Sequence, residues 1–294
     1  MSPAAEEILC FCSKQLGKAQ RISETLILEA LLSGASQNSL KQYLKDELSN
    51  KYNKNVSKDH LSNVEKVLTN NFAITQVIKK SRKNCVFIEA TENDEWKINS
   101  HFNQVIQENP VFREFLEDLI EFMKRRFKSR YKNSYKNTDL VLNEKYSYED
   151  VCRLLNWDNN VNGLNIGGYK YDEKTKTLPV FINYVKSANA KQYNDKFQSP
   201  QTLVAYSKSK RKLESPDADH IYKRTLADEN NHIYLFIRRE EKDKNEPEYF
   251  YFLGEIEATG SPELDELPTG ETLFKIIYKL STPVRQDIYD YITE

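Results

Sequence analysis

Residues 110–143 fix how this chain is organised. After Pro110, the run VFREFLEDLIEFMKRRFKSRY sets Phe112, Phe115, Leu116, Leu119, Ile120, Met123 and Phe127 at helical spacing, and the proline suits a first helical turn. The charge of this helix is polarised. Glu114, Glu117, Asp118 and Glu121 come early, while Lys124, Arg125, Arg126, Lys128, Arg130, Lys132 and Lys136 come late, as the helix dipole favours. The basic end runs into a Ser/Asn/Lys stretch from Asn133 to Asn143 that reads as a linker. Apolar spacing is mostly helical before it and mostly strand-like after it. The expectation is an α+β chain of two domains, 1–140 and 146–294, since 294 residues exceed one ordinary core.

In the first part, Ile8, Leu9, Phe11, Cys12 and Leu16 space like one buried helical face. Ser23–Leu32 reads as a second helix with Ser23 as its N-cap, and further helices begin at Ser36 and Ser57. Asn84–Ile98 then reads as a hairpin, with Val86–Ile88 and Trp96–Ile98 around a turn at Glu92-Asn93-Asp94. Helix, helix, hairpin is the order of a winged helix, in which the helix before the hairpin can enter a DNA groove. Packing against protein alone explains the order as well, because Lys58 and Lys66 are offset by Asp59 and Glu65.

In the second part, Ser147–Leu155 reads as a short capped helix. Strands are expected at Ile166–Tyr171, Leu178–Tyr184, Leu203–Tyr206, Ile233–Arg238 and Tyr249–Glu257. The run Ile233–Ile237 is the strongest of them. Gly270–Ile292 reads as a return to helix, interrupted near Pro283.

Composition removes several function classes. The 43 Lys+Arg and 44 Asp+Glu leave a net charge of −1, so only local segregation of charge can argue for nucleic acid. Cys10, Cys12, Cys85 and Cys152 lack zinc-finger spacing and read as structural thiols. No signal-peptide core and no run of ~18 apolar residues is present, so a soluble, cytoplasmic protein without a membrane partner is expected. The chain lacks a P-loop, a His-x-Lys signature, a Gly-x-Ser-x-Gly elbow and a His-Glu-x-x-His helix. Asp94, Glu95 and Lys97 trace half of a metal-dependent nuclease core, a match that chance supplies often. No catalytic residue, metal ion or cofactor is expected, which leaves a binding module.

A series of blocks then carries a resemblance. Tyr146–Trp157 (YSYEDVCRLLNW), Gly167–Lys170 (GGYK), Leu178–Tyr184 (LPVFINY), Tyr193–Phe197 (YNDKF), Tyr206–Ser209 (YSKS), Leu235–Arg238 (LFIR) and Tyr251–Gly254 (YFLG) occur in order over the last half of the chain. They resemble the C-terminal region of SauUSI-like modification-dependent (type IV) restriction enzymes, which combine a phospholipase-D-like nuclease with a helicase. The resemblance implies a PUA/SRA-like β-barrel with a C-terminal helix behind a winged-helix-like connector. It also implies recognition of duplex DNA containing 5-methylcytosine or 5-hydroxymethylcytosine. The implied partners are that DNA and the helicase and nuclease domains, in the parent enzyme or a partner chain.

Reading such a base requires flipping it, at a cost of a few kcal/mol that stacking and edge hydrogen bonds must offset. Aromatics flanked by cations are therefore the pattern to seek, and Tyr193–Lys212 contains it. Tyr193, Phe197 and Tyr206 are stacking candidates, Ser207 can bond phosphate or base edges, and Asp195 can accept from a cytosine amino group. Trp157 and Tyr184 are further base-pocket candidates, with Tyr169 and Tyr171 beside them. Lys208, Lys210, Arg211 and Lys212, with Arg238 and Arg239, are the phosphate candidates. Core packing of the aromatics, solvation of the basic run, and pairing of the arginines with Glu240 and Glu241 remain the alternatives, in a module that binds protein rather than DNA.

Overall fold

The computed structural model describes residues 1–34, 39–72, 75–161, 163–186, 193–240 and 249–294. The chain is α+β, and its contacts group into two compact units: 1–139 with 152–160, and 140–151 with 161–294. No helix among the described residues is long and apolar enough to cross a membrane.

The first unit is built from α1 (Pro3–Phe11), α2 (Ser23–Ser33), α3 (Leu40–Tyr52), α4 (Lys58–Leu68) and α5 (Gln76–Ser81), then a hairpin of β1 (Ile88–Ala90) and β2 (Trp96–Ile98), then α6 (Ser100–Glu108) and α7 (Pro110–Arg126). Ser57 caps α4 by accepting the His60 amide, and Pro110 opens α7, as their sequence positions predict. The hairpin begins two residues later than expected. Phe87 is drawn out of β1 because its amide bonds the Leu68 carbonyl, and its ring stacks edge-on against Phe102. Ser36 lies outside the described residues; the cap of α3 is Ser39, whose hydroxyl accepts the Gln42 amide.

Two buried polar clusters hold this unit. In one, the Glu24 carboxylate sits between Arg21 and Arg153, and Arg21 also donates to Asn63 Oδ1 at 2.9 Å and the Arg153 carbonyl at 3.2 Å. This draws Cys152–Asn160 into the first unit. In the other, Ser23 Oγ meets His60 Nε2 at 2.8 Å, while Asp139 receives Lys54 Nζ at 2.6 Å and lies 3.5 Å from His60 Nδ1. Ser23 is therefore not a cap: it is the first residue of α2, and its hydroxyl is committed to His60. The expected linker is also anchored, since Asp139 and Leu140 are buried.

The second unit is built on seven strands: β3 (Lys145–Tyr146), β4 (Thr177–Asn183), β5 (Lys196–Ser199), β6 (Thr202–Tyr206), β7 (His232–Arg238), β8 (Phe250–Glu266) and β9 (Thr272–Leu280). Helices α8 (Tyr148–Leu154), α9 (Gly163–Ile166), α10 (Pro216–Tyr222) and α11 (Gln286–Thr293) accompany them, α8 running on into the segment grouped with the first unit. The strand order is β4-β7-β8-β9-β6-β5, with β3 also on β8. Only β4 and β7 are parallel. Strand β7 is buried on both faces, which is why it reads as a continuous apolar run. Ile233, Leu235 and Ile237 enter the main core with Leu178, Val180 and Ile182 of β4. Phe236 turns the other way and stacks on Phe181 and Phe252, with Phe250 edge-on to Phe181. Helix α11 closes the main core with Ile288 and Ile292.

Two expectations fail here. Ile166–Tyr171 is not a strand: the turn at Gly167 and Gly168, both at positive φ, ends α9 and leaves only a bridge between Tyr169 and Val180. Thr272–Leu280 is a strand rather than a helix. Phe274, Ile276, Tyr278 and Leu280 alternate into the core with period two, and β-branched neighbours favour that pairing.

Acid should unfold the first unit in a defined window. Burial holds His60 down to about 4, against an ordinary 6.5, despite the nearby Asp139 carboxylate. The unfolded chain takes up this proton first. The stabilisation is complete above the ordinary value and is lost as pH falls from there to about 4, roughly 3 kcal/mol in all. Melting temperature measured from pH 7.5 to 4.5 should fall across that interval, and His60→Gln should flatten the fall.

Candidate functional site

The second unit contains a half-open cavity of about 210 Å³. An apolar cavity of ~150 Å³ accepts benzene, so this one has room for a single-ring base. Its wall on one side is the end of β4, from Val180 to Asn183, with the Gly167–Tyr169 turn behind it. The opposite wall is the end of β6 and its continuation, Ala205 to Lys208. Tyr193, Asp195 and Lys186 close a third side, with Tyr148 from α8 and Tyr278 from β9.

Asp195 is the chemical centre. Its side chain is 7% exposed; Oδ2 receives Lys186 Nζ at 2.5 Å and Oδ1 receives the Tyr206 amide at 3.1 Å. Burial raises its pKa, and Lys186 and the Tyr206 amide offset only part of that. Each carboxylate oxygen has two acceptor sites, so capacity remains for a ligand donor. Lys186 also donates to the Asn183 carbonyl at 2.7 Å and lies 5.8 Å from the Tyr193 ring centre. Tyr278, 1% exposed, lines the cavity with a buried hydroxyl that has no hydrogen-bond partner among the described residues. An unmet buried donor of this kind costs about 1–3 kcal/mol.

Of the residues singled out in the sequence, Tyr193, Asp195, Tyr206, Ser207 and Lys208 meet at this cavity. Their roles separate. The Tyr193 hydroxyl accepts the Ser209 amide at 3.2 Å, which holds its ring at the wall. Ser207 is 1% exposed; it exchanges bonds with Phe274 and so extends the β6–β9 ladder rather than reaching outward. Lys208 is drawn inward, its Nζ 4.8 Å above the Tyr169 ring, and burial lowers its pKa. Tyr169 itself donates to Asp217 at 2.7 Å.

Phe197 and Tyr184 do not line the cavity. Phe197 is buried against Tyr184 and Tyr289, and the Tyr184 hydroxyl accepts the Phe197 amide at 3.3 Å. Trp157 is 1% exposed and belongs to the first unit, where its carbonyl accepts from Asn63 at 2.7 Å. Tyr171 stacks on His220 and bonds Asn231. Arg238 is 8% exposed, donating to Asn183 Oδ1 at 2.6 Å with its guanidinium 4.4 Å over Phe250, so it is not a surface phosphate contact. Arg239 is partly exposed, and Glu241 lies outside the described residues. Arg211 is engaged by Asp217 at 2.7 Å, Lys210 is 77% exposed with Glu271 at 3.8 Å, and Lys212 is exposed.

Sequence reasoning missed Lys186, Tyr148 and Tyr278. Lys186 follows the LPVFINY block by two residues, a position from which a side chain could have been suspected. Tyr278 sits in the segment misread as helix, where alternation was the available signal.

Two other constellations resolve into structural contacts. Ser23, His60 and Asp139 line up in the order of a hydrolytic triad, but Ser23 is fully buried, so its hydroxyl is closed to a substrate. Asp94 pairs with Lys41, Glu95 accepts from Ser39 and Lys97 pairs with Glu89, so the three point to separate partners.

Placement predicts a split in stability. Phe197→Ala should cost about 3–5 kcal/mol in denaturant unfolding, as for a buried ring. Tyr193→Ala, half-exposed at the wall, should cost under about 1.5 kcal/mol in the same measurement.

No curated protein matches the chain. A crystal structure of KRYPTONITE in complex with mCHG DNA and SAH is similar at a TM-score of 0.32 and 10% identity, over 57% of this chain and 38% of that chain. A score that low assigns no fold. A family described as domain of unknown function (DUF8090) matches residues 1–137. A second, domain of unknown function (DUF3427), matches residues 140–292, just over half of the chain and all but the last two residues of the cavity-bearing unit, and the chain belongs to that family.

Proposed function

We propose that this chain recognises duplex DNA carrying a modified cytosine, taking the flipped base into the cavity of the second unit. The observation that carries this reading is the cavity itself: a base-sized space lined by a buried carboxylate and aromatic rings. Asp195 accepts from the cytosine amino group, and Tyr193 and Tyr206 stack on the ring, each stack contributing ~1–3 kcal/mol. The 5-methyl or 5-hydroxymethyl group adds a small contact, so discrimination depends on fit. Lys210 and Lys212 hold phosphates outside the cavity.

The ordered blocks from Tyr146 to Gly254 support the wider reading. In it, the bent sheet is a PUA/SRA-like body and the helical unit a winged-helix-like connector. The chain is then the target-recognition module of a modification-dependent restriction system, with cleavage and translocation residing in nuclease and helicase domains.

The test is binding of duplexes identical except for one cytosine methyl, at two salt concentrations. Tighter binding of the methylated duplex is expected. Tyr193→Ala and Tyr206→Ala should weaken it ~5–100-fold while leaving binding to the plain duplex little changed. Lys210→Ala with Lys212→Ala should weaken both duplexes alike and reduce the salt slope by about 2. Negligible binding to both duplexes would leave a protein-binding module.

A further inference from the structure

The cavity of the second unit carries one charge that nothing on its lining balances, and that charge is positive. Its carboxylate, Asp195, is matched by Lys186 at 2.5 Å. Its other ammonium, Lys208, makes neither an ion pair nor a side-chain hydrogen bond among the described residues. That ammonium is nonetheless held in place. The Tyr169 ring centre lies 4.8 Å from Nζ, and the Tyr169 hydroxyl accepts the Lys208 amide at 3.3 Å. Beside it runs the turn of Gly167, where a Cβ would stand 3.8 Å from Nζ, and Gly168, where one would meet nothing within 4 Å. The wall next to the ammonium is thus bare backbone with open space before it.

The surroundings reinforce the sign. Burial lowers the Lys208 pKa; Asp217 raises it, and Arg211 and Lys170 lower it again. Asp217 is already committed, its Oδ2 accepting the Tyr169 hydroxyl and Arg211 Nε at 2.7 Å each. Three cations therefore share one carboxylate. Lys170 is exposed and Arg211 partly so, whereas the Asp195 side chain is 7% exposed, so the cations mark the outer end of the cavity. A neutral base entering alone would strip water from Lys208 and offer no charge in return, which is costly for a buried cation. A nucleotide brings its own anion, tied to the base through the sugar.

We propose that Lys208, with Lys170 beside it, forms a phosphate subsite at the outer end of the cavity, so that the ligand is a nucleotide held at both ends. The base amino group meets Asp195 and an adjacent phosphate meets Lys208. The identity of the base rests on the function proposed above; the subsite rests on the unmatched charge. In a duplex this contact forms only once the base has entered, which separates Lys208 from Lys210 and Lys212. A phosphodiester beside a flipped base and a free mononucleotide share this chemistry.

Two arms test it on the full chain. The first uses duplexes with one 5-methylcytosine in which the phosphate on its 5′ or its 3′ side is replaced by an uncharged methylphosphonate. At one of these linkages the wild-type chain should lose about 10-fold in affinity. Lys208→Met, which keeps an apolar stem over Tyr169, should lose as much on the unsubstituted methylated duplex, ignore the methylphosphonate, and melt unchanged by circular dichroism. The second arm follows the Lys208 ε-methylene resonance by NMR. 5-Methyl-2′-deoxycytidine monophosphate should raise its titration midpoint, because an anion favours the charged amine, and the nucleoside should not. Inorganic phosphate should raise it too, against chloride at equal ionic strength, which keeps the subsite testable even if methylated and plain duplexes bind alike and the base reading fails. Tighter binding of the mononucleotide than of the duplex would assign the subsite to a free nucleotide. A Lys208 midpoint unmoved by phosphate and nucleotide overturns the proposal, as does a Lys208→Met chain that keeps the wild-type loss on methylphosphonate.

Discussion

Strand β8 changes partner part-way along, and the second unit depends on that change. Its first residues run beside β3 and β7, and from Ile256 onward they run beside β9. Gly254 lies at the crossover with φ +90°, a conformation that a residue with a Cβ adopts only under strain. Bulged registers between Tyr234 and Phe236 and between Thr259 and Glu263 add further twist. One strand thereby belongs to both halves of the sheet. The β4–β7 half and the β6–β5 half each contribute a wall to the same cavity, although β4 and β5 end the strand order. Continuous flat pairing would have kept those walls apart.

Within that bent frame, one ion pair holds the cavity wall in shape. Asp195 fixes the segment entering β5 to the backbone of β6 at Tyr206, and to Lys186 after β4. The carboxylate is kept away from water, and burial outweighs the lysine in raising its pKa. A buried charge of this kind is weak evidence for stability, because pairing repays desolvation only in part. Its place on the cavity lining, beside Tyr206 and Lys186, fits the role of an acceptor there. The larger recess of the first unit, about 490 Å³ beside Leu31, Leu40 and Trp96, has no carboxylate on its lining among the described residues.

Much of the fold is legible in the sequence where one physical signal dominates. The continuous β-prone run IYLFIR gives β7, and the helical spacing after Pro110 gives the buried face of α7. It is less legible where signals compete. Thr272–Leu280 carries a period-two apolar face, but lysines and a preceding glycine resemble a helix start, and only its ladder with β6 and β8 decides. The site divides in the same manner. Tyr193, Asp195 and Tyr206 are close in sequence and meet at the cavity, while Phe197, from the same segment, turns into the core because strand residues alternate. Arg238 shows the limit of reading charge alone, since its guanidinium is committed to Asn183 and Phe250 beneath the surface.

The fate of the basic run bears on how a reader built this way would discriminate. Four consecutive-looking cations, Lys208 to Lys212, suggest a strong phosphate clamp. Yet Lys208 is drawn in over Tyr169, and Arg211 is neutralised by Asp217, whose own pKa stays low because hydrogen bonds from Tyr169 and Arg211 outweigh its burial. Lys212 and Lys210, the latter 3.8 Å from Glu271, are the exposed cations that remain, on a chain with net charge −1. Two phosphate contacts give weak, shallowly salt-dependent binding to any duplex. Under the proposed function, weak background binding would suit discrimination, because the free energy that distinguishes one base would then reside in the cavity instead of on the surface.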